Sequence, residues 1–372
     1  MMQVELSNSE IHGLEPREQL FLVGLRLAAG VKPPRFLDVR REDVIGAGVL
    51  ARSNWMLTHF ASGLAPVLEG QDRLWLEGKT LRWQSKIMKI NAVLVDQSTL
   101  VARALEDSGH RYVFFKGIHQ QHQIYRDFFL RPSGDIDLLV PRKSFRAVVD
   151  LLGSIGFNPK FERSLWWETF LGERHLYPDT GDYRAIDLHN GLQQPGTPGP
   201  ANLGAFFDPD AVISHRGQHW QVVPRRLLPL VPAMNLIKGL VSKSKMITHA
   251  WDLSQLLGHG QTARVAAFLE VAAEQRLTGT ALIALRILHA LFPHNYSDME
   301  ARLAKVMPGV SDADLLLTLL ESPAQSALPR RRDILVDACE RHVGRMVSQS
   351  LWYGASELTR HFDQEHKAAV GT

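Results

Sequence analysis

The sequence predicts an α+β protein, a small mixed sheet flanked by N-terminal and C-terminal helical regions. Apolar residues recur at three- and four-residue intervals through the first hundred positions, β-prone runs crowd residues 109–190, and helical periodicity returns from Leu227 to the end. With 372 residues, 45% of them hydrophobic and 22% charged, the chain has apolar surface enough for a substantial core and no signature of disorder. The division these patterns suggest is 1–108 helical, 109–224 α/β and 225–372 helical.

The N-terminal region reads as helices because Ile87, Ile90, Leu94, Val101 and Leu105 return on one helical face. Pro16 suits the first turn of a helix running toward Gly30, and Pro33-Pro34 stops any continuation. The texture changes at Gly109. Tyr112-Val-Phe-Phe115 is a short β-prone run ending at a Lys116-Gly117 turn, followed by a helix over His119 to Phe129 and a strand over Asp135 to Val140 that Pro141 closes. A helix from Phe145 to Gly153 and a strand from Tyr183 to Asn190 complete the α/β region. The segment Gly191 to Gly204 is rich in turn formers and reads as an irregular connection more than a lid. A hairpin at Arg216-Gly217 has His219 to Val223 as its second arm, and helices follow over Ala263 to Arg276, Ala281 to Leu291 and Arg332 to Leu351.

Charge and cysteine content exclude several classes. The balance of 42 basic to 39 acidic residues, a formal +3, does not support a nucleic-acid or membrane partner, and the Arg330-Arg331-Arg332 cluster reads as a solvated helix start. Cys339 is the single cysteine, which rules out an intrachain disulfide or a thiolate metal cluster. It falls on the apolar stripe Leu335, Ala338, Cys339, Val343, Met346, Val347, where a buried thiol is inert. No run of about 18 apolar residues occurs and the N-terminus has no leader pattern, so the expectation is a soluble, cytoplasmic protein without a membrane.

The stretch Arg131-Pro-Ser133-Gly-Asp135-Ile-Asp137-Leu-Leu-Val140 carries the chemistry. Alternation along a strand puts Asp135 and Asp137 on one face and Ile136, Leu138 and Val140 on the other. Paired carboxylates repel, and burying them unpaired is costly, so the arrangement makes sense with a divalent cation between them. All-oxygen donors suit magnesium or manganese. Alone, the pattern also fits a strand start with both carboxylates in water. Its company favours the metal: Lys116-Gly117 upstream, and downstream the strand Ala185-Ile-Asp187-Leu-His189, where Asp187 shares a face with Ala185 and His189.

These residues resemble the nucleotidyltransferase superfamily that includes polymerase beta. They are most similar to a branch of largely uncharacterised bacterial nucleotidyltransferases with Leu-Lys-Gly, a helix bearing a Tyr, an Arg, then Asp-Ile-Asp-Leu-Leu-Val. The matching residues are Phe115-Lys116-Gly117, Tyr125, Arg131, Asp135 to Val140, and the later acid-Leu-His of Asp187-Leu188-His189. Gly117-Ile118 departs from the Gly-Ser or Gly-Gly of the wider superfamily. The resemblance implies a two-metal transfer of a nucleoside monophosphate, AMP from ATP being favoured, to a hydroxyl or similar acceptor on a small molecule, peptide or macromolecule. It implies Asp135, Asp137 and Asp187 as catalytic ligands of two magnesium ions, manganese being the alternative. Lys116, Gly117, Arg131, Ser133 and, across the cleft, Lys245 are then nucleotide contacts. A non-catalytic nucleotide-binding partner and a toxin-like RNA-modifying transferase are the competing readings.

Lys245 belongs to a wider cluster of Lys238, Lys243, Lys245 and Asp252, and by composition alone it is a solvated helix residue. His119 and His122 share a helix face without a third ligand in evidence, and His175 with Trp166, Trp167 and Phe170 offers either base stacking or core packing.

Overall fold

The computed structural model describes residues 14–31, 39–160, 166–179, 181–192, 195–242, 244–320 and 330–360. Helix α1 (Pro16–Ala28) begins on proline, whose missing N–H is no loss in a first turn, and the reciprocal capping box of Glu15 and Glu18 closes its start. It packs on α2 (Arg41–Ser53) and α3 (Leu57–Leu64). Helix α4 (Gly70–Asp107) has 38 residues, a length of about 57 Å. Its second half buries Ile87, Leu94, Val101 and Leu105, as the periodicity predicts.

The central sheet has strands β1 (Val113–Phe114), β2 (Ile136–Leu139), β3 (Phe157–Pro159), β4 (Glu173–Pro178) and β5 (Ile186–His189), in the order β1-β2-β5-β4-β3. Strands β2 and β5 run parallel and the other pairs are antiparallel, so the sheet is mixed. Helix α5 (Gly117–Tyr125) links β1 to β2, and α6 (Phe145–Ser154) links β2 to β3. The sequence extends α5 to Phe129, but Arg126 turns left-handed at φ 60° and ends it four residues earlier. Strands β6 (Val212–His215) and β7 (Gln218–Gln221) form the expected hairpin, with Arg216 and Gly217 both at positive φ as a tight two-residue turn requires.

Helices α7 (Leu230–Ser242), α8 (Ile247–Leu256), α9 (Thr262–Glu274), α10 (Thr278–Leu291), α11 (Glu300–Leu303), α12 (Asp312–Leu320), α13 (Arg331–Ala338) and α14 (Val343–Arg360) follow. The single helix expected over Arg332 to Leu351 is broken, because Glu340 and Arg341 adopt φ 57°. The break turns the apolar stripe: Cys339 is fully buried, whereas Val343 and Val347 stand exposed on α14. The connection over Gly191 to Gly204 is pinned where Ala201 and Asn202 donate backbone N–H bonds of 2.9 Å to Gln275, and Thr197 is buried.

Apolar packing positions the site. Ile136, Leu138, Val140, Leu176, Ile186 and Leu188 form one face of the sheet and pack with Leu94, Val101 and Leu105 of α4 and Val148 and Leu152 of α6. On the other face Phe115 and Leu139 join a larger core made jointly by the N-terminal helices α1–α3 and the C-terminal helices. The carboxylates lie on that second face, between sheet and helices.

Candidate active site

Register builds the site as two rows. Asp137 on β2 pairs with Asp187 on β5, which pairs with His175 on β4; one pleat on, Leu139 pairs with His189, which pairs with Glu173. Residues two apart along a strand share a face, so Asp137, Asp187, His189, His175 and Glu173 converge from three strands. Asp135 stands just ahead of β2.

Asp137 is buried, and its Oδ1 accepts a 3.2 Å hydrogen bond from Lys116 Nζ. His175 Nδ1 lies 2.5 Å from Asp187 Oδ1, and His175 Nε2 lies 3.4 Å from Glu173 Oε1. His189 sits between two acids, Nε2 at 3.6 Å from Asp137 Oδ1 and Nδ1 at 3.8 Å from Glu173 Oε2. Edge contacts hold both rings: Phe115 meets His189 at 4.9 Å and Trp167 meets His175 at 4.6 Å.

The field separates the carboxylates. Burial, reinforced by the Asp137 and Asp187 charges, pushes the Asp135 carboxyl up to about 7. Burial also works to raise Asp137, but the Lys116 ammonium and His189 outweigh it and hold that carboxyl well below its usual range. On Lys116, desolvation lowers the pKa and the surrounding acids, Asp137 foremost, raise it further than burial lowers it. Lys238 of α7 is lowered by burial and then by Lys116, against the pull of Glu173, Asp137 and Asp187. Two ammonium groups, one from the sheet side and one from the helices, thus share the field of the same acids.

Gly117 adopts φ +60°, a conformation that disfavours any side chain, and its hydrogen faces the Asp135 carbonyl and the Ser133 hydroxyl. Ser133 is buried beside this turn, its Oγ accepting from Gln121 and its N–H donating to Asn91. A small cavity of about 40 Å³ lies in front of Lys116, lined among others by Glu173, His189, Thr197, Met234, Asn235 and Lys238. Leu171 and Gly191 also line a second, open groove of about 770 Å³, which Arg142, Phe170, Asn190, Gln349 and Trp352 border.

Two expected contacts are not brought here. The Arg131 guanidinium is buried in a bidentate pair with Asp252 of α8, with Nη2 2.5 Å from Oδ2, and Tyr125 and Gln120 also donate to that carboxylate. Both terminal nitrogens donate inside the protein, so Arg131 serves as a buried tie between the sheet region and α8. Lys245 is exposed and donates to the Ser53 carbonyl; the α7 lysine that reaches the acids is Lys238. Lys243 lies outside the described residues. His119 and His122 stack on Phe114 and Phe128 as packing groups, and His119 is fully buried. Glu173 escaped the sequence reading, although its spacing from His175 repeats that of Asp187 and His189.

The geometry offers two sets of metal donors, Asp137 with Asp187 and His189, and Glu173 with His175 and Asp187, each within 4.8 Å. Residues 81–293, more than half of the chain, match the model of an uncharacterised nucleotidyltransferase family. The chain belongs to this family. A search of curated proteins finds no match to it. As a nucleotidyltransferase it is an enzyme with a nucleoside triphosphate as substrate, and the acids, the lysines and the Gly117 turn all lie within the matched span. Among the described residues no helix is long and apolar enough to cross a membrane.

Proposed function

We propose that the enzyme transfers a nucleoside monophosphate, AMP from ATP in preference, to an acceptor hydroxyl in a magnesium-dependent reaction. The observation that carries this reading is the in-register placement of Asp137 against Asp187, with Asp135 alongside and Lys116 and Lys238 facing them. The donor set fits divalent cations: carboxylates converge, and a buried histidine nitrogen beside them lacks a hydrogen-bond partner. Bound there, divalent cations neutralise the triphosphate and lower the pKa of the attacking hydroxyl.

Asp135, Asp137 and Asp187 hold the cations in this reading. Asp135, whose carboxyl burial and the neighbouring acids push up to about 7, would be held in its charged form by a cation bound beside it. Lys116 and Lys238 bind the departing pyrophosphate, and the N-terminus of α5, which the positive-φ turn at Gly117 opens, presents amides to the phosphates. The acceptor oxygen bonds to the α-phosphorus as the bond to pyrophosphate breaks, and Asp187, which His175 orients, takes the hydroxyl proton. The acceptor enters by the open groove that the paired rings of Phe170 and Trp352 border, which meets the small cavity at Leu171 and Gly191.

The test is incubation of the pure protein with each α-labelled triphosphate, magnesium and a cell extract. Label transfer from ATP that chelation and Asp137→Asn both abolish is the expected result. No transfer from any triphosphate with magnesium or manganese would overturn the reading.

A further inference from the structure

His189 is a buried and incompletely satisfied polar group beside the acids. Its side chain is 7% exposed, yet Nε2 has no hydrogen-bond partner among the described residues. Asp137 Oδ1 lies 3.6 Å from Nε2 and Glu173 Oε2 3.8 Å from Nδ1, both long for hydrogen bonds although the two rows interact electrostatically. A neutral imidazole has one proton to offer two carboxylates. If Nδ1 carries it, toward Glu173, the Nε2 lone pair points at the Asp137 oxygens, an unfavourable arrangement unless a cation stands between them. Glu173 then takes the part of the outer carboxylate that orients a metal-bound histidine.

The other histidine does not present this problem. His175 Nδ1 already closes on Asp187 Oδ1 at 2.5 Å. Nε2 of His189, by contrast, is buried and unpartnered, and a ring nitrogen of His189 forms with oxygens of Asp137 and Asp187 a group whose members all lie within 4.8 Å. Metal bonds of about 2.1 Å draw such donors somewhat closer together, a change that small rotations of the two carboxylates supply. Lys116 Nζ lies 3.2 Å from Asp137 Oδ1, so a cation held there would compete with that ammonium for the same oxygen.

We infer that the site takes a first-row transition-metal divalent cation, with His189 Nε2 as a nitrogen ligand beside Asp137 and Asp187. The inference rests on the reading above, that these carboxylates hold a cation, and adds the ligand that decides which kind. Magnesium keeps to oxygen donors and water, whereas imidazole suits later first-row ions such as iron, nickel and zinc. The cation that the chain binds most tightly is therefore of the second kind, even where magnesium supports turnover.

The experiment uses the full chain with Mn²⁺ as probe. Electron paramagnetic resonance gives the binding curve, and pulsed measurement of the bound ion reads directly coordinated ¹⁴N. The expected result is ¹⁴N coupling in the wild type that changes to the ¹⁵N pattern when the protein is grown on ¹⁵N-histidine, with no variant needed. His189→Gln should lose the coupling and His175→Gln keep it. The preference for Mn²⁺ over Mg²⁺ should fall about ten-fold or more in His189→Gln. Mn²⁺ bound without nitrogen coupling, or coupling that survives His189→Gln and vanishes in His175→Gln, overturns the inference while leaving the carboxylate site intact. Absence of Mn²⁺ and Mg²⁺ binding, with and without ATP, overturns both.

Discussion

Replacing Asp252 by alanine strands the Arg131 guanidinium in the interior. Asp252 is fully buried and accepts from Arg131 twice, from Tyr125 at 2.7 Å and from Gln120 at 3.0 Å. Breaking one partner of a buried ion pair costs about 3–5 kcal/mol, because the remaining charge keeps its desolvation penalty without its partner. The orphaned Tyr125 and Gln120 donors add roughly 1 kcal/mol each where water cannot reach them. The sum, about 5–7 kcal/mol, is a large part of the ~5–15 kcal/mol that holds a typical domain together. Urea denaturation followed by far-UV circular dichroism should show Asp252→Ala with a strongly lowered midpoint or already unfolded at room temperature. The double replacement Arg131→Met with Asp252→Leu, which removes both charges, should recover most of the loss. The same double variant should bind ATP within a few-fold of wild type, since Arg131 serves the fold. An Asp252→Ala loss below about 1 kcal/mol would refute the buried-pair argument. A double variant that folds normally but no longer binds ATP would restore Arg131 as a phosphate ligand.

Asp137→Asn should lower turnover by at least about 10²-fold while the melting temperature moves by a few degrees only, as parallel label-transfer and calorimetric measurements would show. Gly117→Val should weaken ATP binding in calorimetric titration, and at φ +60° a β-branched residue also strains the turn by about 1–2 kcal/mol; tight binding by a folded Gly117→Val protein would remove the phosphate contact. Lys238→Gln should raise the dissociation constant for ATP, whereas Lys245→Gln, on the surface, should leave it unchanged. Burial lowers His59 to about 4 and His119 to about 3, against an ordinary 6.5. The unfolded chain then takes up these protons first, so stability is full above pH 6.5 and falls as pH drops toward 4, by up to about 1.4 kcal/mol per pH unit for each histidine. Melting temperatures that stay level from pH 7 to pH 4.5 would contradict this.

What could be read from the sequence follows the strength of alternation. Asp135-Ile-Asp137-Leu and Ala185-Ile-Asp187-Leu each interleave polar with apolar residues, so both strands and the shared face of their acids were visible. Strand β4 was not, because Glu173-Arg-His-Leu-Tyr-Pro lacks that contrast at its start. Its inward position is the buried Arg174, which a 3.0 Å bond to Glu168 satisfies, and periodicity cannot distinguish a neutralised arginine from a solvated one. With β4 hidden, Glu173 stayed hidden too. Lys238 was visible as a residue but its role was not. The better signal was its neighbourhood: it is the one charged residue in the apolar helix Leu230–Ser242 and therefore needs a polar cavity to face. Lys245 has no such constraint. Arg131 was misjudged because its partner Asp252 lies 121 residues away, and pairings at that range leave no local pattern.

The chemistry of the site is fixed by the apolar residues that alternate with it. Strand β5 is third in the sheet order, with β2 parallel on one side and β4 antiparallel on the other, so its Asp187 lies between Asp137 and His175, and its His189 between Leu139 and Glu173. A slip of one residue in β5 would turn Asp187 and His189 into the layer beneath the sheet and bring Ile186 and Leu188 into the cleft. What prevents the slip is the complete burial of Ile186 and Leu188 together with Leu138 and Leu176, which pack with residues of α4 and α6. Each of those side chains contributes about 1.5–3 kcal/mol when fully buried, whereas the carboxylates opposite repel one another and oppose the fold. The apolar face thus sets the register, and the register in turn holds mutually repelling acids close enough to share a cation.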